Sequence, residues 1–118
     1  MPLCRVETNV SGDQIPADFH VKLTQILSKV LDKREKDIII IMRPNATMYK
    51  DCKNVPIAII SIKAAGRFNQ ANNSKYNTAI ANIVLSKLGV EADNLRIFYE
   101  DMSLDFIGNG NRLLSASI

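Results

Sequence analysis

A chain of 118 residues is one domain's worth of sequence, and two independent cores are not expected. With 47% hydrophobic and 23% charged residues, wholesale disorder is excluded, and with four Phe, three Tyr and no Trp the core must be aliphatic. The net charge of +3 is spread along the chain rather than clustered, so no nucleic-acid partner is expected, and no apolar run reaches transmembrane length, so no membrane partner is expected either.

The start, from Leu3 to Asn9, reads as a short strand, closed by the turn signal Ser11-Gly12-Asp13. Pro16 is suited to the first turn of a helix, and Asp18 adds a favourable N-terminal charge. Phe19, Leu23, Ile26, Leu27 and Val30 then form one apolar helical stripe, which the polar stretch from Asp32 to Asp37 ends. Ile38 to Met42 is a continuous apolar run, as in a strand covered on both faces. Ile57 to Ile62 predicts a third strand, with Gly66 in the turn after it. Tyr76, Ile80, Ile83, Val84 and Leu88 give a second helical stripe, capped by Gly89. Leu95, Ile97 and Tyr99 alternate in a fourth strand, and Glu100-Asp101 reads as a solvated turn. The tail from Ser103 is punctuated by Gly and Asn, with Ile107 and Leu113-Leu114 as apolar anchors and Gly108 to Asn111 as a loop.

The two halves superpose in order: Phe19 falls on Tyr76, Leu23 on Ile80, Leu27 on Val84, Leu31 on Leu88 and Ile38 on Leu95. The expected fold class is therefore α/β: a single domain over residues 1–118, built from a duplicated βαβ unit with halves near 1–57 and 58–118. Right-handed crossovers place both helices on one face of a four-stranded mixed sheet. The other face then needs a cover, which another copy of the chain would supply, so a homo-oligomer is expected.

Little conventional chemistry is encoded. Cys4 and Cys52 fit neither a disulfide framework nor a zinc site, and read as a core residue and a loop residue. The single histidine, His20, reads as a solvent-facing helix residue, leaving little for metal chemistry, and no GxGxxG, P-loop or HExxH occurs. The opening Met1-Pro2-Leu3-Cys4-Arg5 lacks a basic n-region and a long apolar stretch, so a cytoplasmic chain is expected, with any secretion by a route independent of a signal peptide. The sequons at Asn9, Asn45 and Asn72 carry little weight in that setting.

Pro2 stands apart. If Met1 is removed, it becomes an N-terminal secondary amine. An ordinary α-amino group titrates near pH 7.7–8.0. Burial and neighbouring cations lower that value, leaving a neutral amine able to act as a general base.

The run Met1-Pro2-Leu3-Cys4-Arg5-Val6-Glu7-Thr8-Asn9-Val10 resembles the start of the macrophage migration inhibitory factor and D-dopachrome tautomerase family. Pro16-Ala17-Asp18-Phe19, Lys33, Pro56, Ser61-Ile62, Gly66, Asp101-Met102 and Ile107-Gly108 extend the resemblance over nearly the whole chain. The resemblance implies a homotrimer with active sites at subunit boundaries. It implies keto-enol tautomerisation of a phenylpyruvate-like α-keto acid or a dopachrome, with Pro2 as the catalytic base and no metal or organic cofactor. Lys33 would hold the substrate carboxylate and help keep Pro2 neutral, the backbone N–H of Ala65 would bind substrate, and Ile107 with the neighbouring subunit's Arg96 and Phe98 would wall the pocket. It also implies cytokine-like signalling through a cell-surface receptor.

The chain departs from the family pattern in places. Arg96 and Phe98 replace a tyrosine and an asparagine of the founding branch; Arg96 is a second cation for the carboxylate, a surface residue or a block to the pocket. Phe98 cannot hydrogen-bond a substrate hydroxyl, which shifts selectivity towards apolar rings. Ala64-Ala65-Gly66 replaces Ser-Ile-Gly, and Asn109 stands where an aromatic often sits. Ile57 and Ile60 occupy the places of a Cys-x-x-Cys, which removes any dithiol mechanism there. Three readings follow: a tautomerase, a receptor ligand with vestigial catalysis, and a non-catalytic small-molecule-binding domain, against which Pro2 and Lys33 argue.

Overall fold

A computed structural model describes residues 1–117. The chain runs β1 (Leu3–Thr8), α1 (Phe19–Leu31), β2 (Ile39–Arg43), β3 (Ala58–Ala64), α2 (Gln70–Leu88) and β4 (Leu95–Asp101), then a small hairpin of β5 (Gly108–Asn109) and β6 (Arg112–Leu113). The four long strands form one mixed sheet in the order β2-β1-β3-β4. β1 is parallel to β2 and β3 to β4, while the central pair β1 and β3 is antiparallel. Each parallel pair is joined through a helix, and both helices lie on the same sheet face.

The apolar periods place the core. From α1, Phe19, Leu23, Leu27 and Leu31 are buried; from α2, Tyr76, Ile80, Ile83, Val84 and Leu88. They meet Cys4 and Val6 of β1, Ala58, Ile60 and Ile62 of β3, and Leu95 of β4, in one cluster. Gly89 ends α2 at φ +66, a left-handed conformation that glycine takes freely because it has no Cβ to clash, and its N–H reaches the Leu85 carbonyl at 3.1 Å.

Three expectations need correction. Pro16 lies outside α1: the Phe19 N–H reaches the Pro16 carbonyl in a separate turn, and Asp18 is the N-cap. The first four-residue bond of the helix is that of the Lys22 N–H to the Asp18 carbonyl at 3.1 Å, and the Asp18 side chain pairs with Lys22 at 3.5 Å instead of capping. Gly108 and Asn109 are not loop but pair with Leu113 and Arg112 in a hairpin, turned at Gly110, φ +66, and Asn111. Glu100 and Asp101 are the last residues of β4, not a solvated turn: Glu100 faces Lys63 at 3.5 Å, and Asp101 accepts from the Gly66 N–H at 2.9 Å.

The Thr8-Asn9-Val10 triplet ties the end of β1 to the approach of β3. The buried Thr8 Oγ1 donates to the Ile57 carbonyl at 2.7 Å and accepts from the Val10 N–H at 3.1 Å. Asn9 accepts from the Ile57 N–H at 2.8 Å and donates to the Val55 carbonyl at 2.7 Å. These bonds satisfy backbone groups that no strand ladder reaches. Thr8→Val keeps the shape but strips both bonds, and we expect chemical denaturation to show a loss of ~1–3 kcal/mol.

On the face away from the helices, Leu3, Ile39, Ile41 and Ile59 lie among Arg5, Glu7, Lys63, Arg96, Phe98 and Glu100. Ile39 and Phe98 are each 57% exposed there. The Ile38 to Met42 run is thus covered on one face only within a single chain: Ile40 and Met42 pack on the core, and Ile39 and Ile41 point away. Among the described residues, no helix is long and apolar enough to cross a membrane.

Candidate functional site

Pro2 is buried at the mouth of the central strand β1. Its carbonyl accepts from the Ile39 N–H at 3.0 Å, and the next residue, Leu3, pairs with Ile39 on one side and Lys63 on the other. The sheet therefore fixes the N-terminus at its centre. The Met1 ammonium is pushed below the ordinary α-amino value, first by burial and then by the positive charges of Lys33 and Arg67, with Asp37 pulling the other way. Cations and burial both disfavour the protonated form, so this is a place for a neutral amine.

Lys33 is delivered by the end of α1. Asp32 adopts a left-handed conformation at φ 53, turning the chain out of the helix. The Lys33 N–H then reaches the Ser28 carbonyl at 3.1 Å, and Ser28 Oγ donates to the Lys33 carbonyl. Lys33 lines a groove of about 430 Å³ with Ala65, Gly66, Arg67, Met102 and Leu104. The Ala64 to Gly66 turn is held twice: Asp101 accepts from the Gly66 N–H, and the Met102 N–H reaches the Ala64 carbonyl at 2.8 Å. Gly66, at φ +67, takes a conformation that side chains resist. Lys33→Met removes a cation that disfavours the ammonium, so the N-terminal amine's pKa should rise. An amine titration by NMR should show that rise, and any activity that needs the free base should begin at a higher pH.

Ile107 is buried and lines a second groove of about 430 Å³ with Met1, Leu3, Asp37, Ile39 and Asn109. Arg96 and Phe98 are not brought to Pro2 within one chain. They project from the open face of β4, opposite Ile59 and Ser61, with β3 between them and β1. Arg96 Nη1 bonds back to the Asp93 carbonyl at 2.8 Å and the Leu95 carbonyl at 3.0 Å. Within one chain, Lys33 and Ala65 share one groove and Met1 and Ile107 another, the Lys33 charge reaches the terminal amine, and Arg96 and Phe98 lie on the far edge strand.

Three residues of this region escaped the sequence. Arg67 and Asp37 act on the terminal amine from opposite signs, and Asp101 holds the Gly66 turn. Each works across a long sequence separation, and only the run of charges at Arg34 to Asp37 and the family match at Asp101 hinted at them. The thiols lie where expected: Cys4 is buried, its pKa pushed up to about 12 by desolvation, and Cys52 is exposed. His20 is exposed, as expected, and Ile57 and Ile60 are core residues.

The macrophage migration inhibitory factor family model matches residues 1–113. The MIF-like protein mif-2 of Caenorhabditis elegans is 28% identical over 118 residues, covering 99% of this chain and 98% of that protein. Macrophage migration inhibitory factor of Mus musculus is 30% identical over 112 residues, covering 94% and 97%. The solved structure of macrophage migration inhibitory factor from Oncomelania hupensis superposes with a TM-score of 0.92 at 23% identity, over 96% of this chain and 82% of that one, a likeness of fold.

Proposed function

The chain belongs to the macrophage migration inhibitory factor family, and from that premise we propose that it is a keto-enol tautomerase of phenylpyruvate- or dopachrome-like substrates, with Pro2 as general base once Met1 is removed. The observation that carries the reading is the buried Pro2 at the centre of the sheet, next to the Met1 amine, whose pKa is lowered by desolvation, Lys33 and Arg67. A neutral secondary amine there takes a proton from the carbon next to the keto group and returns one across the enol. Lys33 pairs with the substrate carboxylate. The Ala65 N–H adds a hydrogen bond, and Ile107 forms an apolar wall.

Catalysis in this reading needs an assembly. The partly apolar open face and the remote Arg96 and Phe98 support a homotrimer, in which the partner subunit's Arg96 and Phe98 close the pocket. Gel filtration with light scattering should return three times the chain mass. Phenylpyruvate turnover tests the activity, and its absence in protein shown by mass spectrometry to begin at Pro2 overturns it.

A second reading is cytokine-like signalling through a receptor, with catalysis vestigial. It is favoured by the groove at Met1, where Asp37 and Asn109 bring polar groups and no aromatic ring. Pro2→Gly separates the two: lost turnover with intact signalling assigns the biological effect to the surface and not to the reaction.

A further inference from the structure

The turn between β3 and α2 sets a second cation against the end of α1, one to which the tautomerase reading gives no contact with substrate. Arg67 follows the Gly66 turn, and its Nε donates to the Leu31 carbonyl at 2.8 Å. That carbonyl is one of the last of α1, without a partner inside the helix. Nη1 lies 3.4 Å from the Gly66 carbonyl. The backbone of Arg67 is itself anchored, its carbonyl accepting from Tyr76 Oη at 2.8 Å and from Asn72 Nδ2 at 3.5 Å. The adjacent Phe68 is wedged edge-on between Tyr76 and Tyr99, with ring centroids 6.1 and 5.4 Å away. Arg67 is thus held on both sides, by its backbone and by its head group.

Its charge is not spent on a carboxylate. The ion pairs among the described residues join Lys22 to Asp18, Arg34 to Asp37, Lys53 to Asp51 and Lys63 to Glu100; neither Lys33 nor Arg67 is among them. Asp101, the acid nearest in this turn, accepts from the Gly66 backbone. Two half-buried cations without an acidic partner line one groove with the Ala65-Gly66 backbone. Such a pair favours an anion with two oxygens, because a guanidinium offers a planar fork and an ammonium a point charge.

We propose that Arg67 and Lys33 form a two-cation carboxylate site, in which Arg67 clamps the end of α1 through Leu31, so positioning Lys33, and adds the second charge for the substrate's anionic group. The inference deepens the tautomerase reading, and rests on it for the identity of the substrate. It makes Arg67, together with Lys33, a selector of acids over their neutral esters. The C-terminal carbonyls of α1 offset part of the guanidinium charge, which leaves the groove positive but not repelled by the helix end.

The test compares wild type with Arg67→Gln and Arg67→Lys, each checked by circular dichroism and beginning at Pro2. KM is measured for phenylpyruvate and for its neutral methyl ester. The Pro2 amine is titrated by NMR without substrate, against a background of Lys33, Arg34, Lys36 and Asp37 left intact. Arg67→Gln should raise KM for the acid roughly tenfold or more, as loss of a charged hydrogen bond does, and change the ester's less than about twofold. The amine pKa should rise in Arg67→Gln and return towards wild type in Arg67→Lys. Equal effects on acid and ester, or an unmoved amine pKa, overturn the proposal and reduce Arg67 to a helix cap. If wild type turns over neither compound, the tautomerase reading fails. The proposal is then decided by the amine titration and by binding of phenylacetate, which Arg67→Gln should weaken by the same factor; unchanged binding overturns it.

Discussion

Replacing Pro2 with glycine should lower kcat/KM for phenylpyruvate by ~10²–10⁴, the usual contribution of a positioned general base. The glycine variant still ends in an amine, so the loss comes from placement and basicity, not from deletion of nitrogen. The proline ring is buried, and its carbonyl is tied to Ile39. Glycine removes the ring and empties its site, so packing no longer holds the amine in a geometry in which small displacements are costly. A steady-state assay on both proteins checks the fall. A variant within about threefold of wild type would remove Pro2 from the reaction.

The largest stability effect should come from Leu23→Ala. Leu23 is fully buried on α1, inside the cluster that joins both helices to the sheet. Truncation loses the transfer free energy of the removed carbons and leaves a cavity in an aliphatic core, for a cost of ~2–5 kcal/mol. Thermal unfolding at fixed protein concentration should show a midpoint lower by ~10 °C or more. A shift of only a degree or two would mean that the α1 stripe does not pack as described.

Much of the fold was legible because the burial pattern is simple. Phe19, Leu23 and Leu27 repeat at helical spacing, as do Tyr76, Ile80 and Val84, and each stripe becomes a buried helix face. Leu95, Ile97 and Tyr99 alternate as a half-covered strand does. Gly89 marks a helix end that only a left-handed residue can make. The start of α1 was less legible, since Pro16 is compatible with a first turn and equally with the separate turn it forms before the helix. The short β5–β6 hairpin has too few residues for alternation to show.

The site was legible in its chemistry and not in its assembly. Pro2 stood out as a latent N-terminal secondary amine, Lys33 and Ala65 through the family resemblance, and Ile107 as an apolar anchor. The reach of Arg67 to Leu31, and of Asp101 to Gly66, joins residues far apart in the chain. No local pattern encodes such contacts, because they exist only once α1 and the β3–α2 turn have docked. Arg96 and Phe98 pose the opposite case: the family resemblance singled them out, yet within one chain they sit on the outer strand, and the role proposed for them needs a second copy.

In the proposed reaction the free secondary amine of Pro2 is the base. Its most direct test is phenylpyruvate tautomerase activity on two preparations, one shown by mass spectrometry to begin at Pro2 and one carrying a single additional residue before it. The extra residue turns the amine into an amide, which has no basic lone pair, and leaves every other side chain in place. Activity in the first preparation and none in the second is the predicted result. Equal activity in both, or none in either, would contradict it.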